Sequence, residues 1–153
     1  MQSFRIALTG DFLDERGRSA YGEMPLEAWR QVPHLEYHFL TGQAPRHGDA
    51  AYWASLYSME VTPEDLDRID GLVVLRPWVK RPAIAAAAGQ LTVIGRSGAG
   101  YDKIDVEACT EHGVALFNAP MALNHSTASS ALLFMLALAK RLVPQQQVTR
   151  AGR

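Results

Sequence analysis

Short apolar runs alternate with helix-forming segments along this chain, and no other feature limits its fold so sharply. Phe4–Thr9 (FRIALT), Leu35–Leu40, Gly71–Leu75 (GLVVL), Leu91–Gly95 and Val114–Phe117 read as strands. Pro25–Gln31, Ala50–Met59, Thr62–Ile69, Pro82–Ala88 and Val106–His112 read as helices between them. Thr62 as N-cap, Pro63 at the first helical position, and Glu64 and Asp65 in the first turn mark one helix start. Gly89 and Gly113 mark helix ends. Phe12–Glu23 and Thr41–Asp49 are rich in polar and turn-forming residues and read as loops.

Nearly continuous apolar strands joined through helices imply a parallel sheet covered on both faces. Five such strands with short connections fit an α/β, flavodoxin-like, doubly wound domain. A chain of 153 residues is long enough for one real core, and 48% hydrophobic and 20% charged residues are ordinary for a globular protein. A net charge of -1 gives no electrostatic reason to expect nucleic acid or an anionic membrane as partner. The single cysteine, Cys109, excludes an internal disulfide and a cysteine-rich zinc site. Asp11 arrives too early for a secretory signal, and the longest apolar run, Ala131–Ala139, is too short to span a bilayer. A cytoplasmic protein is expected.

Ser126–Leu142 reads as one long helix with Asn124, His125 or Ser126 as cap. Its apolar residues run all the way round, which calls for burial on most sides. It is either a core helix or a helix lying against another domain or a second subunit.

Leu91–Ile94 runs into Gly95-Arg96-Ser97-Gly98-Ala99-Gly100, so glycines follow the carboxyl end of a strand, where α/β sheets bind small molecules. As a dinucleotide fingerprint the loop fails at Lys103, where the third glycine belongs. As a nucleophile elbow around Ser97, with His112 or His125 as base, it lacks a helix beginning at once. Asp11 after the first strand would repel a flavin phosphate, and Arg76-Pro77 stands where a phospho-acceptor carboxylate would. His34 and His38 lack a third metal ligand, so no metal site is assigned. Arg76 and Arg96, each at or beside the end of a central strand, suit a carboxylate or phosphate. They could equally be surface residues or pair with acids such as Asp102 or Asp105.

The run from Leu91 to Pro120 (LTVIGRSGAGYDKIDVEACTEHGVALFNAP) resembles the D-isomer-specific 2-hydroxyacid dehydrogenases, which include phosphoglycerate dehydrogenase and glyoxylate or hydroxypyruvate reductases. The similarity continues through the last helix, and Gly71–Trp78 fits it. The first 60 residues match only in element order. The resemblance implies a substrate domain over residues 1–121. Residues 122–153 would be the crossover helix and start of a Rossmann domain that binds NAD or NADP. Arg76, Ser97, Gly98, Ala99 and Gly100 would then border the substrate, and Ala99 and Thr127 the cofactor. Thr127-Ala128-Ser129 departs from the family's usual Val-Ala-Glu, which costs the helix start an acidic residue.

The resemblance further implies that the family's G-x-G-x-x-G turn, arginine and histidine–carboxylate pair lie beyond residue 153. No catalytic residue is therefore assigned. The expected activity is hydride transfer between nicotinamide and a small D-2-hydroxy or 2-oxo acid, with the chain inactive by itself and homodimeric through the Ser126–Leu142 helix. The rival reading is a stand-alone, non-catalytic flavodoxin-like module that binds carboxylates or dimerises. A third, the serine hydrolase, requires a reactive Ser97.

Overall fold

In the computed structural model, which describes residues 3–22, 24, 26–43 and 50–152, the strand expected at Phe4–Thr9 forms with those bounds as β1. The sheet contains β2 (Leu35–Leu40), β3 (Gly71–Val74), β4 (Val93–Arg96) and β5 (Ala115–Asn118) besides. All four pairings are parallel, and the strand order is β2-β1-β3-β4-β5. This is the doubly wound α/β fold, with its reversal of winding at the β1–β3 junction.

The helices are α1 (Leu26–Arg30), α2 (Tyr52–Ser58), α3 (Arg81–Ala86), α4 (Val106–Glu111), α5 (Asn124–Ala139) and α6 (Leu142–Arg150). Pro25 and residues 44–49, expected in a helix start and a loop, lie outside the described residues. The chain divides into two compact units, Met1–Ala119 and Pro120–Arg153.

In the first unit, register places Ala7 beside Leu72, Leu72 beside Ile94, and Ile94 beside Leu116. Their side chains share one face, because strand side chains alternate. That face packs into the core with Ala83 and Ile84 of α3 and Ala108 and Cys109 of α4. The opposite face carries Val73, Gly95 and Phe117, and is less well covered than expected: Phe117 is 65% exposed.

Local signals explain α4. The Asp105 carboxylate accepts from the Ala108 N–H at 2.8 Å, and Gly113 takes φ +69° just past the C-cap His112.

Two expected helices differ. Thr62–Ile69 shrinks to a single 3-10 turn at Glu64–Leu66. Thr62 and Asp65 exchange capping bonds of 2.8 and 3.4 Å, but Arg68 then takes φ +57° and turns the chain so that both Leu66 and Ile69 are buried. The second is Ser126–Leu142. Its helix begins at Asn124, without a side-chain cap, and ends at Ala139. Arg141 takes φ +50° and α6 starts afresh. Pro144 is the reason, since in a continuous helix its ring would strike the Lys140 carbonyl. In the first turn of a new helix it costs nothing.

Taken by itself, the second unit buries no residue of α5 or α6. Leu132, Leu133, Phe134, Met135, Leu136 and Leu138 are all exposed. Among the described residues no single helix is long and apolar enough to cross a membrane. Only α5 and α6 together, bent by 58°, reach that length and composition.

Candidate ligand site at the carboxyl edge of the sheet

β1, β3 and β4 end side by side, and three loops leave that edge of the first unit. After β1, a 3-10 turn at Gly10–Phe12 folds Asp11 back under the strand end, where its side chain is fully buried. The Thr9 hydroxyl donates to Asp11 Oδ1 at 2.6 Å and accepts from the Leu75 N–H at 3.2 Å. One hydroxyl thus ties the end of β1 to the end of β3.

Arg76 follows directly. Its Nη1 lies 3.5 Å from Asp11 Oδ2, and its guanidinium carbon sits 5.3 Å from the centroid of the Tyr21 ring. The acid facing Arg76 is therefore Asp11, and not Asp102 or Asp105. Asp105 instead caps α4 and lies 3.6 Å from Arg81. The loop that carries Arg76 is held on both sides. Trp78 bridges to Glu60, and Val79 bridges to Ile104. The Lys103 ammonium donates to the Tyr57 carbonyl at 2.9 Å and lies 5.2 Å from the Trp78 ring.

The glycine loop leaves β4. The Ser97 N–H donates to the Val74 carbonyl and the Gly98 N–H to the Arg96 carbonyl, both at 2.9 Å. The Gly98 carbonyl accepts from the Ala119 N–H at 3.0 Å, and the Ala99 carbonyl accepts from Asn118 Nδ2 at 2.8 Å. Gly98 has φ +140°, and a Cβ there would lie 2.6 Å from Arg96 Nη1. The positive φ is what requires glycine, since the flexible end of Arg96 can yield.

With these bonds made, the N–H groups of Ala99 and Gly100 have no acceptor among the described residues, and both residues are exposed. Successive exposed N–H groups at the rim of a sheet are donors of the kind that bind small oxyanions. Arg96 lies beside Gly98, its guanidinium donating to the Ser97 carbonyl. Burial pushes this guanidinium below its ordinary value; the Asp102 and Asp11 charges oppose the shift and Arg76 adds to it. These side chains therefore share one electrostatic neighbourhood.

The sequence expectations divide accordingly. Arg76, Ser97, Gly98, Ala99 and Gly100 come together at one edge of the first unit. Ser97 and Gly98 have committed their N–H groups to the fold, whereas Ala99 and Gly100 have not. Thr127 lies on α5 in the second unit, where its N–H donates to the Leu123 carbonyl at 2.9 Å. The elbow reading of Ser97 fails, since no helix begins until Val106. No group of three or more His, Cys, Asp or Glu among the described residues could hold a metal ion. Tyr21 and the bridging role of Thr9 were not legible in sequence, because nothing local marks a residue that acts through a partner 55 or 66 positions away.

The strand order β2-β1-β3-β4-β5, with a glycine loop beside the reversal of winding, defines a doubly wound α/β domain. The family model for the D-isomer specific 2-hydroxyacid dehydrogenase catalytic domain matches residues 34–140, and the chain belongs to this family. It is 34% identical over 101 residues to D-3-phosphoglycerate dehydrogenase 2, chloroplastic, of Arabidopsis thaliana, covering 63% of this chain and 16% of that protein. It is 32% identical over 108 residues to the glyoxylate reductase of Thermococcus onnurineus, covering 69% and 32%. Among solved structures, TP0037 from Treponema pallidum, a D-lactate dehydrogenase, matches with TM-score 0.64 at 19% identity, over 97% of this chain and 40% of that one. The chain thus spans less than half the length of these relatives.

Proposed function

We propose that this chain is the substrate-binding portion of an NAD(P)-dependent oxidoreductase acting on small D-2-hydroxy and 2-oxo acids. The observation that carries the reading is the pair of unsatisfied N–H groups at Ala99 and Gly100. A substrate carboxylate accepting from both would be anchored through rigid backbone, which fixes the orientation of its C2. Gly98 supplies the turn that presents the donors, Ser97 anchors that turn to β3, and Arg76 borders the rim. Backbone donors preorganised on a sheet edge need no rearrangement to receive the anion.

Nicotinamide supplies or accepts the hydride when bound. The described residues do not form its phosphate site. The loop after β4 has Lys103 where close helix–strand packing needs glycine, and α4 begins only at Val106. Ala99 and Thr127 are proposed only to border the cofactor. No histidine is found at the glycine loop, so no proton transfer is assigned to this chain. The exposed apolar residues of α5 support a second copy of the chain as partner.

An amide-resolved titration of the 15N-labelled chain with oxamate tests the loop. The Ala99 and Gly100 signals should move first and furthest. Shifts confined to other residues would remove the basis of the reading. With glyoxylate or hydroxypyruvate and NADH, the same chain should show no turnover by absorbance.

A further inference from the structure

The direction in which the Ala99 and Gly100 N–H groups point is set by the carbonyls that share their peptide planes. No described peptide bond is cis, and in a trans peptide the N–H and C=O point in opposite directions. The Ala99 N–H shares its plane with the Gly98 carbonyl, which accepts from the Ala119 N–H at 3.0 Å. The Gly100 N–H shares its plane with the Ala99 carbonyl, which accepts from Asn118 Nδ2 at 2.8 Å. Two consecutive residues at the end of β5 thus hold both carbonyls, and both N–H groups face away from that strand end. The two holds differ in kind. Ala119 uses its backbone, which any residue but proline would supply. Asn118 uses a side-chain amide, and among the described residues no other donor reaches the Ala99 carbonyl.

Gly100 makes the second hold matter. A residue without a Cβ accepts φ of either sign, so the peptide ahead of it turns over at little cost when its carbonyl is unbound. Turned over, that peptide would present the Ala99 carbonyl where an anion needs a donor. We infer that Asn118 is a positioning residue for the anion: its side-chain amide holds the Ala99–Gly100 peptide so that the Gly100 N–H faces the ligand. The inference rests on the loop reading above and adds to it the side chain that orients one of the two donors. The effect runs both ways. A Gly100 N–H that donates to an anion polarises its own peptide, which makes the Ala99 carbonyl a better acceptor for Asn118. Asn118 is exposed and lies outside the core, so its replacement leaves the packing of the sheet intact.

The test is a titration of the 15N-labelled chain with oxamate, with wild type and Asn118→Ala side by side. In the wild type, the Asn118 side-chain amide signals should shift with the same midpoint as the Gly100 backbone amide. In Asn118→Ala, oxamate should bind about threefold more weakly or worse, because a hydrogen bond to a charged acceptor loses its orientation. The Gly100 shift at saturation should shrink in that variant while the Ala99 shift persists, since the Ala119 N–H still holds the Gly98 carbonyl. Equal loss of both shifts would mean a general loosening of the loop and would overturn the inference. So would a smaller loss of affinity. An Asn118 side chain that stays silent while the wild-type Gly100 amide moves would overturn it too, whether or not the variant folds. Each of these results leaves the loop reading standing. If oxamate moves neither Ala99 nor Gly100 in the wild type, the loop reading falls and the inference with it.

Discussion

At the scale of single residues, two glycines in one strand-and-loop segment have opposite demands. Gly98 combines φ +140° with Arg96 Nη1 at 2.6 Å from the position of a Cβ. The Arg96 side chain can move aside, but the backbone strain remains. Gly98→Ala should therefore cost about 1–3 kcal/mol in urea denaturation. At Gly95 the nearest atoms to a Cβ are 3.9 Å away, ordinary contact. Gly95→Ala should change stability by no more than about 1 kcal/mol. Equal costs at the two positions would contradict this account of the loop. Cys109 makes a second prediction. Burial pushes its thiol above the ordinary 9.0, and Asp105 adds to the shift. A raised folded value means stability fully present below the unfolded pKa and lost as pH rises through the folded one. Wild-type stability should thus fall more steeply than that of Cys109→Ala above about pH 9. The free thiol should also react with iodoacetamide much more slowly in the native than in the unfolded chain. The glycines were legible in sequence because backbone freedom is a property of the residue itself. Asp11 was legible only as a source of repulsion toward phosphate, since its partner lies 65 positions away.

At the scale of elements, legibility followed how local the signal is. The ends of α4 were close to expectation, with Gly113 legible as its close, because Gly113, like the Asp105 cap that the structure adds, acts within one turn of the helix. Asp105→Ala should cost about 1 kcal/mol, plus little from the exposed Arg81 pair, and should speed amide exchange at Ala108 before the sheet is affected. Unchanged exchange would count against capping as what holds this helix end. The segment after Thr62 shows the converse. Its start signals are genuine, yet one turn suffices, because the reversal at Arg68 lets both Leu66 and Ile69 enter the core. Tertiary packing overrode a local preference there. The break between α5 and α6 was visible as Pro144, two residues past the expected helix end, but a proline acts on the turn before it.

At the scale of the whole chain, apolar exposure is concentrated on α5. Phe134 and Leu138 are 65% and 79% exposed, and the apolar residues go round the helix. Water contact on such a surface is costly, so the chain should self-associate. Sedimentation velocity should show a weight-average mass that rises with concentration, and Phe134→Glu should lower it. A strictly monomeric wild type across the micromolar range would refute α5 as a self-association surface. By itself the sequence determined the strand–helix alternation, and with it the parallel α/β sheet, the glycine turn at the end of β4 and the glycine that closes α4. Each follows from periodicity, chain sterics or hydrogen bonds within a few residues. Only the tertiary structure decided that Ser97 and Gly98 commit their N–H groups to the fold while Ala99 and Gly100 do not, and that Asp11 holds Arg76. Those outcomes depend on which strand ends meet, because charge pairing and donor satisfaction are set by distance in space, and five strands must assemble before that distance exists.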